Sequence, residues 1–280
     1  MTQALGTFNS EASRHFARGL ARAFGGAIIF SLPLLMTQEM WDLASHIERP
    51  KLAILLALSF PLFVGLSHHA GFEQTFDWKD DVRDTCVAYA VAFIASAIML
   101  VLFGVIDLGV SFNDLLAKIS LQIVPAGFGA LLGRSLLEKS ERHEKDKAWE
   151  AKYLGKLFLM AAGALFLGMN IAPTDEVVLI PHQLTEWHAV VLALLSLLLM
   201  HAFVFAVEFR GGAVVPQESS AWSLFLRFTL VGYAIVLLIS LYLLWTFGRT
   251  EGLALHQAMA AMVVLGFPAA IGAAAARLIL

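Results

Sequence analysis

The residues of this sequence best suited to chemistry are acidic groups that close two apolar runs. One run ends in MTQEM, residues 36–40, and a later run ends in PTDEV, residues 173–177. Carboxylate, hydroxyl and amide oxygens are the hard ligands that Ca²⁺, Mg²⁺ and partly hydrated Na⁺ or K⁺ accept. The two segments therefore predict cation-binding residues, with Glu39 and Glu176 as the candidate metal ligands. The full predicted set is Thr37, Gln38, Glu39, Thr174, Asp175 and Glu176.

The composition of the chain places these acids in a membrane protein. Of 280 residues, 59% are hydrophobic and 15% are charged, and the mean hydropathy is +0.76. A soluble domain of this length does not bury so much apolar surface, and apolar runs of about 20 residues, enough to cross a bilayer, recur along the chain. We predict an all-α membrane protein with about eight transmembrane helices. The predicted spans are 20–41, 52–71, 84–106, 115–137, 153–173, 188–208, 222–247 and 254–279.

The two halves of the chain repeat glycine, proline and polar residues in the same order, which indicates an internal duplication. An offset of 137 residues, later 143, aligns the pairs Gly26/Gly163, Thr37/Thr174, Glu39/Glu176, Ser59/Ser196, Pro125/Pro268 and Gly129/Gly272. Because each half holds an even number of spans, we expect two four-helix repeats in parallel orientation. The predicted divisions are a basic N-terminal segment 1–19, a first repeat 20–137, a charged linker 138–152 and a second repeat 153–280.

Positive charges predict how the chain crosses the membrane. Arg14, Arg18 and Arg22 form a stripe before and at the start of the first span, and the linker is also rich in lysine and arginine. Cytoplasmic loops carry such an excess, so both termini and the linker are expected in the cytoplasm. The three arginines would form a basic inner mouth below the acidic outer one; contacts with lipid headgroups are the alternative.

The first and fifth spans carry residues that favour a polar path. We predict that Gly25, Gly26, Ser31, Pro33 and Asn170 line a pore, because small residues, hydroxyls, amides and proline-freed carbonyls suit such a lining. Ordinary helix packing is the alternative for each. A proton relay or a packing role also stays open for the histidines His68, His69 and His201.

Another acidic cluster offers an enzymatic alternative. Asp80, Asp81 and Asp84 lie in the predicted cytoplasmic loop after the second span, and this segment resembles the aspartate-rich motif of membrane prenyltransferases. That resemblance implies an enzyme that holds Mg²⁺ and a diphosphate substrate. The corresponding later loop, RGGAVVPQESS, has Glu218 as its only acid, so the second half of such a clamp is missing.

Two longer stretches connect the chain with a family. The runs RGLARAFGGAIIFSLPLLMTQEMW and LLLMHAFVFAVEFRG resemble bacterial integral membrane proteins of about this length and of unknown function. The resemblance implies a bacterial inner membrane and several helices, and it carries over no catalytic or binding residue.

The predicted function is a cation channel or transporter of the bacterial inner membrane. Its acidic outer-mouth sites would lie at the ends of the first and fifth spans. We expect the lipid bilayer, inorganic cations and further copies of the chain as partners, and neither a resident cofactor nor nucleic acid, since the net charge is −3. The enzyme and a non-transporting sensor or scaffold are the alternatives.

Overall fold

The computed structural model consists of α-helices joined by turns, and it describes residues 2–70, 78–106, 109–137, 153–209, 222 and 225–279. Within those ranges the chain contains no β-strand. The elements are α1 (Thr2–Leu35), α2 (Gln38–His46), α3 (Arg49–Ala70), α4 (Trp78–Leu102), α5 (Phe112–Leu137), α6 (Tyr153–Ile171), α7 (Glu176–Gln183), α8 (Glu186–Phe209), a π-helical turn (Phe225–Leu230), α9 (Val231–Thr246) and α10 (Leu255–Ile279).

Eight helical segments in the described part of the chain are long and apolar enough to cross a membrane. They are Phe16–Leu35, Arg49–His68, Trp78–Leu102, Phe112–Gly133, Tyr153–Ile171, Glu186–Phe203, Phe225–Thr246 and Leu255–Ala276. The predicted all-α fold with eight spans is therefore confirmed.

The first and fifth spans end earlier than predicted, and each is followed by a short helix. α1 ends at Leu35 and α2 begins three residues later; α6 ends at Ile171 and α7 begins at Glu176. The two short helices have 9 and 8 residues. Hydropathy did not reveal them because they are too short and too polar to resemble a span. The acidic segments thus lie in the first turns of short helices or just before them.

The predicted loop position of the aspartate cluster is wrong. Asp80, Asp81 and Asp84 all belong to α4, which begins at Trp78. Carboxylates are favoured in the first turn of a helix because unpaired backbone N–H groups and the helix dipole give that end a partial positive charge.

The described chain forms two compact units. Unit 1 contains residues 1–45 and 52–141, and unit 2 contains 46–51 and 142–280. The duplication itself stays a prediction. If it is correct, aligned residues of the two units should make similar packing contacts.

In unit 1, α5 is the most enclosed helix and packs against α1 and α4. Gly26 of α1 meets Gly129 of α5 so closely that a Cβ atom added at Gly26 would lie 2.1 Å from the Gly129 carbonyl oxygen. Small residues at such crossings allow helix backbones to approach in a membrane.

Unit 2 has the same kind of crossing between α6 and α10. A Cβ atom added at Gly163 would lie 2.2 Å from the carbonyl oxygen of Gly272. α10 also packs on α8 and α9 around a core that includes Met160, Met200 and Tyr233. The two close crossings therefore involve the glycine pairs that the sequence alignment equates.

Candidate functional site

The two acidic segments, residues 36–40 and 173–177, occupy corresponding places in their units. Glu39 is half-buried in the first turn of α2, whereas Glu176 is the exposed first residue of α7. Among the described residues, no group of three or more histidine, cysteine, aspartate or glutamate side chains is placed to hold a metal ion. Direct metal binding by Glu39 and Glu176 stays a prediction.

Asp175 already has a cationic partner. Nη2 of Arg249 lies 3.1 Å from its Oδ1, and the same nitrogen donates to the carbonyl oxygen of Pro173. Arg249 follows Gly248, whose φ of +68° belongs to the left-handed region that glycine adopts readily. The charge of Asp175 is therefore partly neutralised within unit 2, and a free cation would find less attraction there than at Glu176.

Two predicted ligands, Thr37 and Thr174, and two predicted pore-lining residues, Ser31 and Asn170, donate hydrogen bonds to backbone carbonyls three or four residues earlier. These hydrogen bonds run from Ser31 to Ala27 O (2.7 Å), from Thr37 to Pro33 O (2.5 Å), from Asn170 to Phe166 O (2.7 Å) and from Thr174 to Ile171 O (2.9 Å). Such local bonds let a polar side chain sit in an apolar helix without a ligand. Oxygen lone pairs still remain on each group, so these bonds decide nothing about a pore.

The other predicted pore and mouth residues lie along α1. Gly26 is at the crossing with α5, Gly25 is half-buried, and Pro33 is exposed. Arg18 is exposed and Arg22 is half-buried, with a contact of its own. Arg14 lies on the same helix, and its side chain is outside the described residues; the basic inner mouth stays a prediction.

Two buried carboxylates lie in the first turns of the third span. Asp81 and Asp84 on α4 are each only 4% exposed. Nδ1 of His68 on α3 lies 3.1 Å from Asp81 Oδ2, and Ser67 donates to Asp84 Oδ2 at 3.1 Å. The second Asp81 oxygen, Oδ1, is buried without a hydrogen bond in the described part of the protein. This site places two acids between α3 and α4.

Asp80 does not join that pair. Its carboxylate lies 3.2 Å from Arg83 Nη1; the Arg83 side chain is largely exposed, and the Asp80 side chain is half-buried. The three aspartates that the sequence grouped together thus have separate partners, and only two of them are buried.

The three histidines of the sequence analysis do not form one set. His68 contacts Asp81 in unit 1, whereas Nδ1 of His201 lies 3.1 Å from the Thr229 hydroxyl in unit 2. The side chain of His69 is outside the described residues.

Lys51 is a buried charged residue that the sequence analysis missed. It is 7% exposed, and its Nζ lies 2.7 Å from Glu251, 2.9 Å from Glu48 and 5.5 Å from the centre of the Trp245 ring. These contacts, all within unit 2, tie the start of α3 to the turn between α9 and α10. Its position in the first turn of a span, three residues after Glu48, was the available signal.

Eight apolar spans with polar groups enclosed between them define an integral, multi-pass membrane protein. The sequence model of the family described as "Putative integral membrane protein (DUF2391)" matches residues 19–280. The chain therefore belongs to that family, in agreement with the resemblance seen in the sequence. Neither a curated protein nor a solved structure matches it.

Proposed function

We propose that this protein passes a small cation across the membrane, as a channel or a transporter, and that Asp81 and Asp84 attract the cation inside unit 1. The observation that carries the proposal is the burial of both carboxylates within a membrane span. An ionised carboxylate costs much free energy in hydrocarbon, and such groups within spans commonly mark ion or proton pathways. A passing cation would be attracted by the negative charge of the two carboxylates.

The acidic short helices supply the second part of the proposal. Glu39 and Glu176 would raise the local cation concentration at the ends of the first and fifth spans. Negative charge near an opening attracts cations, and the oxygen geometry deeper inside selects among them. Asp175 contributes less because Arg249 accompanies it.

The test is ion flux into liposomes that contain only the purified protein. Wild-type protein should admit Na⁺, K⁺, Ca²⁺ or Mg²⁺ above the leak of empty liposomes. Asp81→Asn should lower that flux by about tenfold or more, because one unit charge at 4 Å is worth about 4 kcal/mol at an effective dielectric constant of 20. Asp84→Asn should act in the same direction.

Asp80→Asn is the matched control, because it removes the same charge from the neighbouring residue, which is only half-buried and is paired with Arg83. It should leave flux nearly unchanged. Wild-type flux equal to that of empty liposomes would refute transport, and equal losses in the Asp80 and Asp81 variants would refute the role of the buried pair. Diphosphate binding without flux would favour the enzymatic alternative.

A further inference from the structure

Two spans of unit 2 each carry a single charged side chain, and both charges are positive. Lys156 is the only lysine, arginine, aspartate or glutamate of α6, and Arg227 is the only one between Phe225 and Thr246. Each lies within the first four residues of its span. Long cationic side chains near the ends of spans reach toward the headgroup region, so these two lie where they can meet the negative groups of lipids.

Contacts between the two spans bring these ends together. The Tyr153 hydroxyl, at the start of α6, donates a hydrogen bond to the carbonyl oxygen of Arg227 at 2.9 Å. The centre of the Tyr153 ring lies 5.3 Å from that of Phe228, and Nζ of Lys156 lies 5.2 Å from the centre of the same Phe228 ring. Lys156 and the backbone of Arg227 are thus linked through two aromatic side chains. We call Tyr153, Lys156, Arg227 and Phe228 the basic–aromatic patch.

The basic–aromatic patch is accessible from outside the protein. Tyr153 and Arg227 are exposed, and Lys156 and Phe228 are half-buried. Trp222, just before the π-helical turn, is 72% exposed, and the centre of its ring lies 6.0 Å from that of the Phe225 ring. Tyrosine and tryptophan are enriched at the membrane–water interface because each has an apolar ring and a polar group. The exposed arginine beside these rings is therefore placed at headgroup depth.

The charges of the patch suit a phosphate group. The cation–π contact with Phe228 holds the Lys156 ammonium group at the protein surface without neutralising its charge. Arg227 supplies a planar guanidinium group, which can donate hydrogen bonds to two oxygens of one phosphate. Neither α6 nor the segment from Phe225 to Thr246 contains an aspartate or a glutamate that would offset these charges.

We propose that the basic–aromatic patch binds the headgroup of one anionic phospholipid, with Lys156 and Arg227 contacting its phosphate and the aromatic rings lying beside its glycerol and upper acyl chains. The inference goes beyond the proposed function and does not depend on it. Charge complementarity selects an anionic lipid, because a zwitterionic headgroup carries an ammonium group that the two cations repel. A lipid that contacts both spans would also hold α6 against the π-helical turn.

Unit 1 offers a matched comparison. At an offset of 144 residues (227 − 83), Arg83 of α4 aligns with Arg227. Arg83 is also exposed near the start of its span, but it lies 3.2 Å from the carboxylate of Asp80. This acid offsets part of the arginine charge within the protein, so we expect Arg83 to add little to the binding of an anionic lipid.

The experiment measures lipid binding to the purified full chain by native mass spectrometry from detergent. Phosphatidylglycerol is the anionic probe, and phosphatidylcholine is the zwitterionic comparison. Wild-type protein should bind one phosphatidylglycerol saturably and more tightly than phosphatidylcholine. Lys156→Gln and Arg227→Gln should each weaken this binding by about fivefold, the usual contribution of one lysine or arginine beside anionic lipid. Arg83→Gln is the control and should leave the affinity within about a factor of two.

A second measurement uses wild-type protein alone, so it does not depend on the variants folding. The melting temperature in detergent should rise saturably with phosphatidylglycerol and not with phosphatidylcholine or inorganic phosphate, because a ligand of the folded state stabilises it. Equal effects of the two lipids in either measurement, unchanged affinity in both the Lys156 and Arg227 variants, or an equal loss in Arg83→Gln would overturn the site.

The source of the phosphate is decided by the same measurement. An equal rise of the melting temperature with inorganic phosphate would overturn the lipid as the ligand and leave a free anion in its place. None of these results bears on ion flux through the protein, so the failure of the lipid site and the failure of cation transport are distinguishable.

Discussion

At the scale of single residues, acids near the ends of spans differ in how much charge they leave for a ligand. Asp175 is paired with Arg249, and Asp80 is paired with Arg83, so an arginine side chain offsets part of the charge of each. Asp81 lies beside a nitrogen of His68, and Asp84 accepts a hydrogen bond from the Ser67 hydroxyl. Glu176 is exposed, and Glu39 is half-buried. Substitutions of these acidic residues are therefore expected to change the cation flux by unequal amounts.

Glu39→Gln and Glu176→Gln should each change cation flux or preference by roughly two- to fivefold. Exposed charges are screened by salt, so the effect is smaller than that expected for the buried Asp81, and it should shrink at high ionic strength. Asp175→Asn should change flux less than Glu176→Gln because Arg249 already offsets its charge. Flux through the Glu39/Glu176 double variant that equals wild-type flux at low salt would leave these residues as solvated helix ends.

Local sequence indicated the acids and not their partners. Lys51 bonds to Glu251, 200 residues away, and Arg249 bonds to Pro173, 76 residues away. Such pairs depend on how helices pack, which residue spacing along one span does not reveal. The aspartate cluster was recognised from the same local pattern, and its division into one half-buried and two buried residues could not be read from that pattern.

At the scale of elements, hydropathy predicted the eight spans because each one is a run of 18 or more mainly apolar residues. It missed α2 and α7, where polar residues interrupt the apolar run. The third spans of the two halves align at an offset of 144 residues, which pairs Trp78 with Trp222, Tyr89 with Tyr233 and Ser96 with Ser240. The offset of 137 that aligns the first two spans does not reveal these pairs.

The glycine crossings give a test of element packing. Gly163→Ala should lower the free energy of unfolding by about 1–3 kcal/mol, the usual cost of overpacking. Its new Cβ would lie 2.2 Å from the carbonyl oxygen of Gly272, and a backbone atom cannot turn aside. Thermal unfolding in detergent, calibrated with denaturant, measures the change.

Gly168→Ala is the control on the same helix. Its Cβ would meet Cδ1 of Leu243 at 2.9 Å, and a leucine tip can rotate away. We expect a loss well below that of Gly163→Ala. If both variants are equally stable, the crossing of α6 and α10 is not held by close backbone contact.

At the scale of the whole molecule, each unit contains a close glycine crossing between two spans. Gly26 meets Gly129 in unit 1, and the aligned Gly163 meets Gly272 in unit 2. A duplication would explain why the two halves place aligned glycines at such crossings. The buried acids have no counterpart, since Phe225 and Phe228 stand where Asp81 and Asp84 would align. The two units would therefore share a framework and differ in charge.

The orientation of the chain in the membrane decides at which membrane face each acidic group lies. The excess of lysine and arginine in the linker 138–152 predicts a cytoplasmic linker, and eight spans then put both termini on that side. Counting spans from there places Asp81 and Asp84 near the cytoplasmic face and Glu39 and Glu176 near the outer face. A cation pathway would then have acidic residues near both of its faces.

Single cysteines test this orientation in a background in which the native Cys86 is replaced by serine. Ser140→Cys should react with a membrane-impermeant thiol reagent only after inverted vesicles expose the cytoplasmic face. His182→Cys, at an exposed position of α7, should react in spheroplasts, whose inner membrane is intact and accessible from outside. Reaction of both cysteines from one face would contradict the count of spans between them. Reaction of each from the face opposite to that expected would keep the fold and exchange the two mouths, so that Asp81 and Asp84 would meet a cation arriving from outside.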